Sequence, residues 1–145
     1  MNHALVARIL LSILCALQGL ATLAIDLNRT HATNPTWTGH ARFHVVWQTI
    51  TVTLPAGVEF ILIWSHGLPR ADGFYIACLL TSLSPLAFLF ALTTRRIYGG
   101  TLSDPNGIPP VQLACCGRAL SIDMNLTAII IALACIAVII VIYRA

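Results

Sequence analysis

The C-terminal stretch Ile122–Tyr143, with the sequence IDMNLTAIIIALACIAVIIVIY, decides the fold of this 145-residue chain. Its only charged residue is Asp123, and its length is close to the roughly 20 residues that a helix needs to cross the hydrocarbon core of a bilayer. Three more apolar stretches of similar length precede it, namely Ala4–Ile25, Phe43–Trp64 and Gly73–Leu92. The sequence therefore predicts four membrane-spanning segments.

The composition supports the same conclusion. Hydrophobic residues make up 58% of the chain and charged residues only 9%, whereas roughly a quarter of an ordinary soluble domain is charged. In lipid, backbone groups must bond within a helix or a closed barrel, and these stretches are far too long for barrel strands. The connecting segments are too short to build a second hydrophobic core. We therefore predict an all-α protein, an integral membrane four-helix transmembrane bundle that forms a single domain over residues 1–145.

The first stretch has a second interpretation, because Arg8 precedes an apolar run that ends in small residues, as in a secretory signal. The run is long for a signal and has Gln18 inside it, so we favour a retained helix. The arginines indicate the orientation: Arg29, Arg42, Arg95, Arg96 and Arg118 flank the first and third loops, and Arg8, Arg70 and Arg144 flank the opposite side. The positive-inside rule then favours those two loops in the cytoplasm and both termini outside. The absence of lysine suits a bacterial source, and we expect the bacterial inner membrane.

The sequence lacks the features that mark several functional classes. The basic residues are few and stand where topology explains them, which argues against nucleic-acid binding. No Gly-rich phosphate loop or serine nucleophile motif is present. Cys15, Cys78 and Cys135 lie in the predicted spans as small apolar residues, and the adjacent Cys115 and Cys116 do not suit a disulfide. We expect the cysteines to be structural.

Polar residues form one stripe on each of the first two spans. Gln18, Thr22 and Asp26 follow one another at intervals of four residues, so they share one helix face. The second span has polar residues and a proline at steps of three or four: His40, His44, Gln48, Thr51, Pro55 and Glu59. A short loop makes these two helices antiparallel neighbours, and buried polar groups in a bilayer face the bundle interior. We expect the two stripes to face each other.

The polar residues also converge on one membrane face. The first helix ends there and the second and fourth begin there, so we expect a cluster of Asp26, His31, His40, Arg42, His44, Asp123 and Asn125. We expect both Asp26 and Asp123 to lie close to His44. The segment between Asp26 and His40 is rich in hydrogen-bonding groups, which indicates an ordered cap over the helix ends.

The histidines permit two kinds of cofactor. His40 and His44 lie one turn apart and can reach a single metal ion, with His31, Asp26 or Asp123 as a third ligand. A haem needs one imidazole and an apolar slot, and His44 stands between Phe43 and Trp47. In that case Arg42 or His40 pairs with a haem propionate.

The segment Gly39-His-Ala-Arg-Phe-His44 resembles the G-x-A-R-x-H segment of the styrene oxide isomerases, bacterial four-helix membrane proteins of similar length. The resemblance implies haem b bound between the protomers of a trimer, acting as a Lewis acid on an epoxide, with His44 as its axial ligand. The family's tyrosine near the end of helix three corresponds only to the displaced Tyr98. Its substrate-orienting asparagine corresponds to Ile50, which cannot hydrogen-bond. Asp26, Asp123 and Tyr98 are the candidate catalytic residues.

The architecture also resembles the group of sterol isomerases and the sigma-2 receptor, in which paired acidic residues hold a cationic or carbocation-like lipid. This resemblance implies a ligand site without a cofactor, formed by Asp26 and Glu59, and Gln18, Gln48 and Asn125 are further candidate ligand-binding residues.

Three hypotheses stay open. The first is a haem or metal site centred on His44 that acts, as an isomerase or related enzyme, on an apolar small-molecule substrate entering from membrane lipid, in a homo-oligomer that includes a trimer as one possibility. The second is a lipid-like or sterol-like ligand site without a cofactor. The third is a structural or assembly subunit, in which the polar residues only cap and pair the helices.

Overall fold

The computed structural model of the chain describes residues 2–65, 69–103, 108–115 and 118–145, so Cys116 lies outside the described residues. In chain order the elements are α1 (His3–Asp26), α2 (Gly39–Trp64), α3 (Arg70–Thr94), a 3-10 turn (Arg95–Ile97), β1 (Val111–Cys115), β2 (Arg118–Ile122) and α4 (Met124–Arg144). Four helices are long and apolar enough to cross a membrane. The prediction of an all-α four-helix bundle is confirmed.

Capping residues set where the helices begin. The Thr38 hydroxyl accepts a hydrogen bond from the Ala41 backbone N–H at 3.2 Å, so α2 begins four residues before the predicted Phe43. The Asp123 carboxylate accepts from the Leu126 N–H at 2.9 Å, so α4 begins after Asp123. Such caps satisfy N–H groups that have no partner within the helix. As a result, both His40 and His44 lie on the first two turns of α2.

The helices form a ring in which α1 and α3 each pack against both α2 and α4. Because successive helices run in opposite directions, the α1–α2 and α3–α4 connections share one end of the bundle, which we call the rim end. Both termini and the α2–α3 connection share the other end, which we call the closed end. The two ends are packed differently.

The closed end contains the core. Its buried apolar residues come from all four helices and are Ala7, Leu11, Cys15, Ile63, Phe74, Ala77, Cys78, Ile136 and Ile139. Gly73 lets α3 approach α2 closely, because a Cβ at this position would collide with the backbone carbonyl of Leu62. The Phe74 and Tyr143 rings stack with their centroids 3.8 Å apart. Side chains therefore fill this half of the bundle.

A side chain from α1 also closes this end. Arg8 donates from Nε to the Ile63 carbonyl at 2.8 Å and lies over the Trp64 ring, 4.5 Å from its centroid. The Trp64 indole N–H in turn donates to the Ser12 hydroxyl at 2.8 Å. The Arg8 charge is thereby partnered by a helix C-terminus and an aromatic face, both of which favour a cation.

The β hairpin was not predicted. Strands β1 and β2 pair antiparallel, with Val111 opposite Ile122 and Leu113 opposite Leu120. The predicted fourth span began at Ile122, which instead ends β2. Neither Val111–Cys115 nor Arg118–Ile122 alternates regularly between apolar and polar residues, so these short strands carry little signal beside the much longer apolar run after them.

Candidate functional site

The rim half of the bundle contains a cavity of about 1190 Å³, lined by residues of all four helices and partly open to the outside. Its walls are mainly apolar, as in most small-molecule sites. All four predicted ligand-binding residues line it: Gln18, Gln48, Glu59 and Asn125. Of the predicted catalytic, cofactor and metal residues, Asp26, His31, His44 and Trp47 line it as well. The structure thus joins both polar stripes in one space.

Small residues make room for this space. Ala21 of α1, Ala56 of α2, Ala87 of α3 and Ala132 of α4 all lie on its wall. Each helix therefore presents at least one short side chain to the same region. In the closed end, the larger side chains of Leu11, Ile63 and Phe74 are buried instead. The cavity ends where this larger packing begins.

Asp26 is the last residue of α1 and lies at the rim of the cavity. The fully buried Thr49 of α2 donates from its hydroxyl to Asp26 Oδ2 at 3.2 Å, and its oxygen lies 2.8 Å from the Val45 carbonyl as well. The His31 imidazole is near enough to interact electrostatically with the Asp26 carboxylate. A carboxylate and an imidazole therefore both line the cavity mouth.

The α1–α2 connection is an ordered cap, as predicted. The Asn34 side chain is 3% exposed, donates to the Thr30 carbonyl at 3.2 Å and accepts from the Thr36 N–H at 3.0 Å. The Thr30 hydroxyl lies 2.7 Å from His31 Nδ1, and the His31 and Trp37 rings meet edge to face with centroids 5.4 Å apart. Both rings line the cavity. The cap thus places two aromatic side chains at its mouth.

His40 and His44 form a pair on the first turns of α2. Their Nε2 atoms are 3.1 Å apart, and the rings meet edge to face with centroids 4.5 Å apart. Both side chains are exposed, but only His44 lines the cavity, 5.6 Å from the Trp47 ring. Arg42 is half-buried and, like His40, is not part of the cavity wall.

The structure does not bring two of the predicted catalytic residues into the cavity. Asp123 caps α4, and its carboxylate is used by the Leu126 N–H. The Tyr98 hydroxyl donates to the Ala91 carbonyl at 2.6 Å and faces a separate recess of about 130 Å³. Asp123 was predicted from the membrane face it shares with His44, and its position directly before a helix also suits a cap, the role that the third hypothesis gives to such residues.

The predicted three-ligand metal site does not form within the described residues. In residues 2–65, 69–103, 108–115 and 118–145, no three His, Cys, Asp or Glu side chains are grouped so that they could hold a metal ion. His31 lies over the cavity mouth in the cap, whereas His40 and His44 pair with each other on α2. The loop fold that ties His31 to Thr30 and Trp37 accounts for this separation.

The inner end of the cavity is polar. Glu59 is only 4% exposed and lies beside the side chains of Cys15 and Thr81. Cys15 Sγ is 3.2 Å from Thr81 Oγ1, and Gln18 Nε2 donates to the Thr81 carbonyl at 3.4 Å. Sequence reasoning missed Thr49 and Thr81, because their role depends on contacts between helices that no spacing within one helix reveals.

The chain was compared with protein-family models, curated proteins and solved structures, and none of them matches it. The function of the chain is therefore inferred from the geometry of its cavity.

Proposed function

We propose that this protein binds an apolar small molecule from the membrane in the cavity of the rim half, with the polar end of that molecule at Asp26, His31 and His44. One observation carries the proposal: a single cavity of about 1190 Å³ joins these three side chains to Glu59. Mainly apolar walls with a few converging polar groups are the usual form of a ligand site. Ionisable residues inside a membrane domain are costly and mark functional sites by default.

The pair of Asp26 and His31 also suits proton transfer. A carboxylate and an imidazole beside the same bound group can remove a proton from one atom and return it to another. Such a transfer is an isomerisation when both atoms belong to one molecule. An isomerase acting on an apolar substrate that enters from lipid is therefore the enzymatic form of this proposal.

The test is to identify the molecule that stays bound when the protein is purified. The chain is purified in lipid nanodiscs, and the bound molecules are released and identified by mass spectrometry. We expect an apolar molecule with a polar end, and about tenfold less of it with Asp26→Asn, because the lost charge-assisted interaction is worth about 1.5 kcal/mol. Asp72→Asn is the matched control, since Asp72 is exposed on the first turn of α3, away from the cavity. Equal retention by the wild type and Asp26→Asn would argue against the rim site.

A second candidate function is favoured by the histidine pair. The 3.1 Å between His40 Nε2 and His44 Nε2 is close to the roughly 3.3 Å that separates two nitrogen ligands of one tetrahedral ion. The exposed rings of Phe43 and Trp47 flank His44 and suit a flat apolar macrocycle between protomers. A metal ion or haem b held by His44, with His40 as second ligand or propionate partner, would supply a Lewis acid at the cavity mouth. An absorption spectrum and metal analysis of the purified protein test this candidate.

A further inference from the structure

The inner end of the cavity has its own recognition chemistry. We call Cys15, Gln18, Glu59 and Thr81 the floor cluster. Thr81 is at its centre: the Cys15 sulfur, the Gln18 amide and the Glu59 carboxyl all lie against it. Cys15, Gln18 and Glu59 also line the cavity. A ligand that fills the cavity therefore ends against these side chains.

Most hydrogen-bond donors of the floor cluster are already used. The Thr81 hydroxyl donates to the Ala77 carbonyl at 2.8 Å, and the Gln18 amide donates to the Thr81 carbonyl at 3.4 Å. The Cys15 thiol is a weak donor, and it lies between the Thr81 oxygen and the Glu59 carboxyl, so its single hydrogen serves one of them at a time.

The acceptors of the floor cluster are not used to the same extent. Among the described residues, Gln18 Oε1 is the one buried side-chain polar atom without a hydrogen-bond partner. Glu59 is 4% exposed, and its carboxyl lies within hydrogen-bonding reach of the Cys15 and Thr81 side chains, with no basic side chain in the described part of the chain among the groups that interact with it. Buried acceptors are normally paired, and those that are not require an explanation. The floor therefore presents one unpaired buried acceptor, Gln18 Oε1, on a residue that lines the cavity.

We propose that the floor cluster accepts hydrogen bonds from the far end of the bound molecule, a proposal that rests on the cavity being a ligand site. The ligand is then a long amphiphile with polar groups at both ends and a donor, a hydroxyl or an ammonium, at the floor end. Its length is set by the helix: Thr49 bonds Asp26 at the rim, and ten residues of α2 separate Thr49 from Glu59, which is about 15 Å. Molecules with only one polar end leave the floor acceptors unpaired.

The test compares matched probes of one chain length in nanodiscs: dodecanol, the α,ω-diol of dodecane and the corresponding α,ω-amino alcohol. The quantity measured is the ratio of the dodecanol Kd to the diol Kd, because this ratio cancels differences in folding and partitioning between variants. We expect a ratio of about ten in the wild type, the size of one added hydrogen bond. Gln18→Leu removes the unpaired acceptor and should lower the ratio to about one, and Glu59→Gln, whose amide oxygen still accepts, should keep most of it.

The amino alcohol distinguishes the two donors. If it binds more tightly than the diol in the wild type and loses that advantage in Glu59→Gln, the floor takes an ammonium; if the diol binds at least as tightly, the floor takes a hydroxyl. An unchanged ratio in Gln18→Leu overturns the floor proposal and leaves the rim site intact. If no probe binds the wild type, both the proposed function and the floor proposal fail. Size-exclusion profiles of both variants confirm that they fold.

Discussion

The two halves of the bundle are built from the same four helices but differ in what fills them. In the closed end, the buried side chains of Leu11, Ile63 and Phe74 belong to one apolar core cluster with small residues such as Ala77. In the rim half, alanines from every helix face one another and leave about 1190 Å³ between polar side chains. From this difference we infer that the closed end contributes most of the stability and that the rim half has room for a ligand.

The largest effect that we expect is on the free energy of unfolding, when a large apolar side chain is shortened in the closed end rather than in the rim half. Leu11→Ala removes a fully buried side chain from the closed end, and we expect it to lower the free energy of unfolding by at least about 2 kcal/mol. Leu83→Ala, at a cavity-lining and 51% exposed position, should cost less than about 1 kcal/mol. Denaturant titration in detergent micelles measures both. Equal losses would break the division into two halves.

The next effect concerns the cofactor candidate at the rim. We expect His44→Ala to abolish haem or metal binding and His40→Ala only to weaken it, because His44 alone of the two lines the cavity. Cofactor content is measured from the Soret absorbance and from metal analysis, and membrane insertion of both variants from their yield. Full cofactor content in His44→Ala, or none in the wild type, would reject this candidate and leave the cofactor-free ligand site.

A smaller effect is expected from the cap over the cavity. Asn34→Ala removes a donor to the Thr30 carbonyl and an acceptor for the Thr36 N–H, interactions worth about 1 kcal/mol each. We expect faster amide hydrogen exchange in the connection between α1 and α2 and faster ligand release, with little change in the core. Thr33→Ala, at an exposed position of the same connection, is the control. Exchange that rises equally in the closed end would contradict a local role.

The smallest effect concerns which side of the membrane the rim end faces, and its test does not change the stability of the protein. The arginine distribution favours the rim end in the cytoplasm and both termini outside. A topology reporter fused after Ala145 should therefore report the non-cytoplasmic side. Cytoplasmic activity would reverse the orientation and leave the fold unchanged.

The sequence predicted the elements better than the space between them. The four helices follow from apolar length alone, and the stripes through Asp26 and Glu59 follow from a spacing of three or four residues. The cavity was not predictable in this way, because its volume depends on where alanines of four different helices coincide. Asp123 and Tyr98 lie outside the cavity lining for a related reason: a helix cap and a backbone carbonyl engage these polar groups, which share a membrane face with the site.

Binding of the ligand in the rim cavity is tested by one pair of substitutions. Ala132→Phe adds a ring to the cavity wall, whereas Ala77→Phe adds the same ring to the filled closed end. We predict that Ala132→Phe lowers ligand affinity by more than about tenfold at nearly unchanged stability, and that Ala77→Phe lowers the free energy of unfolding by about 1–3 kcal/mol. Ligand binding by Ala132→Phe with the affinity of the wild type would contradict the account.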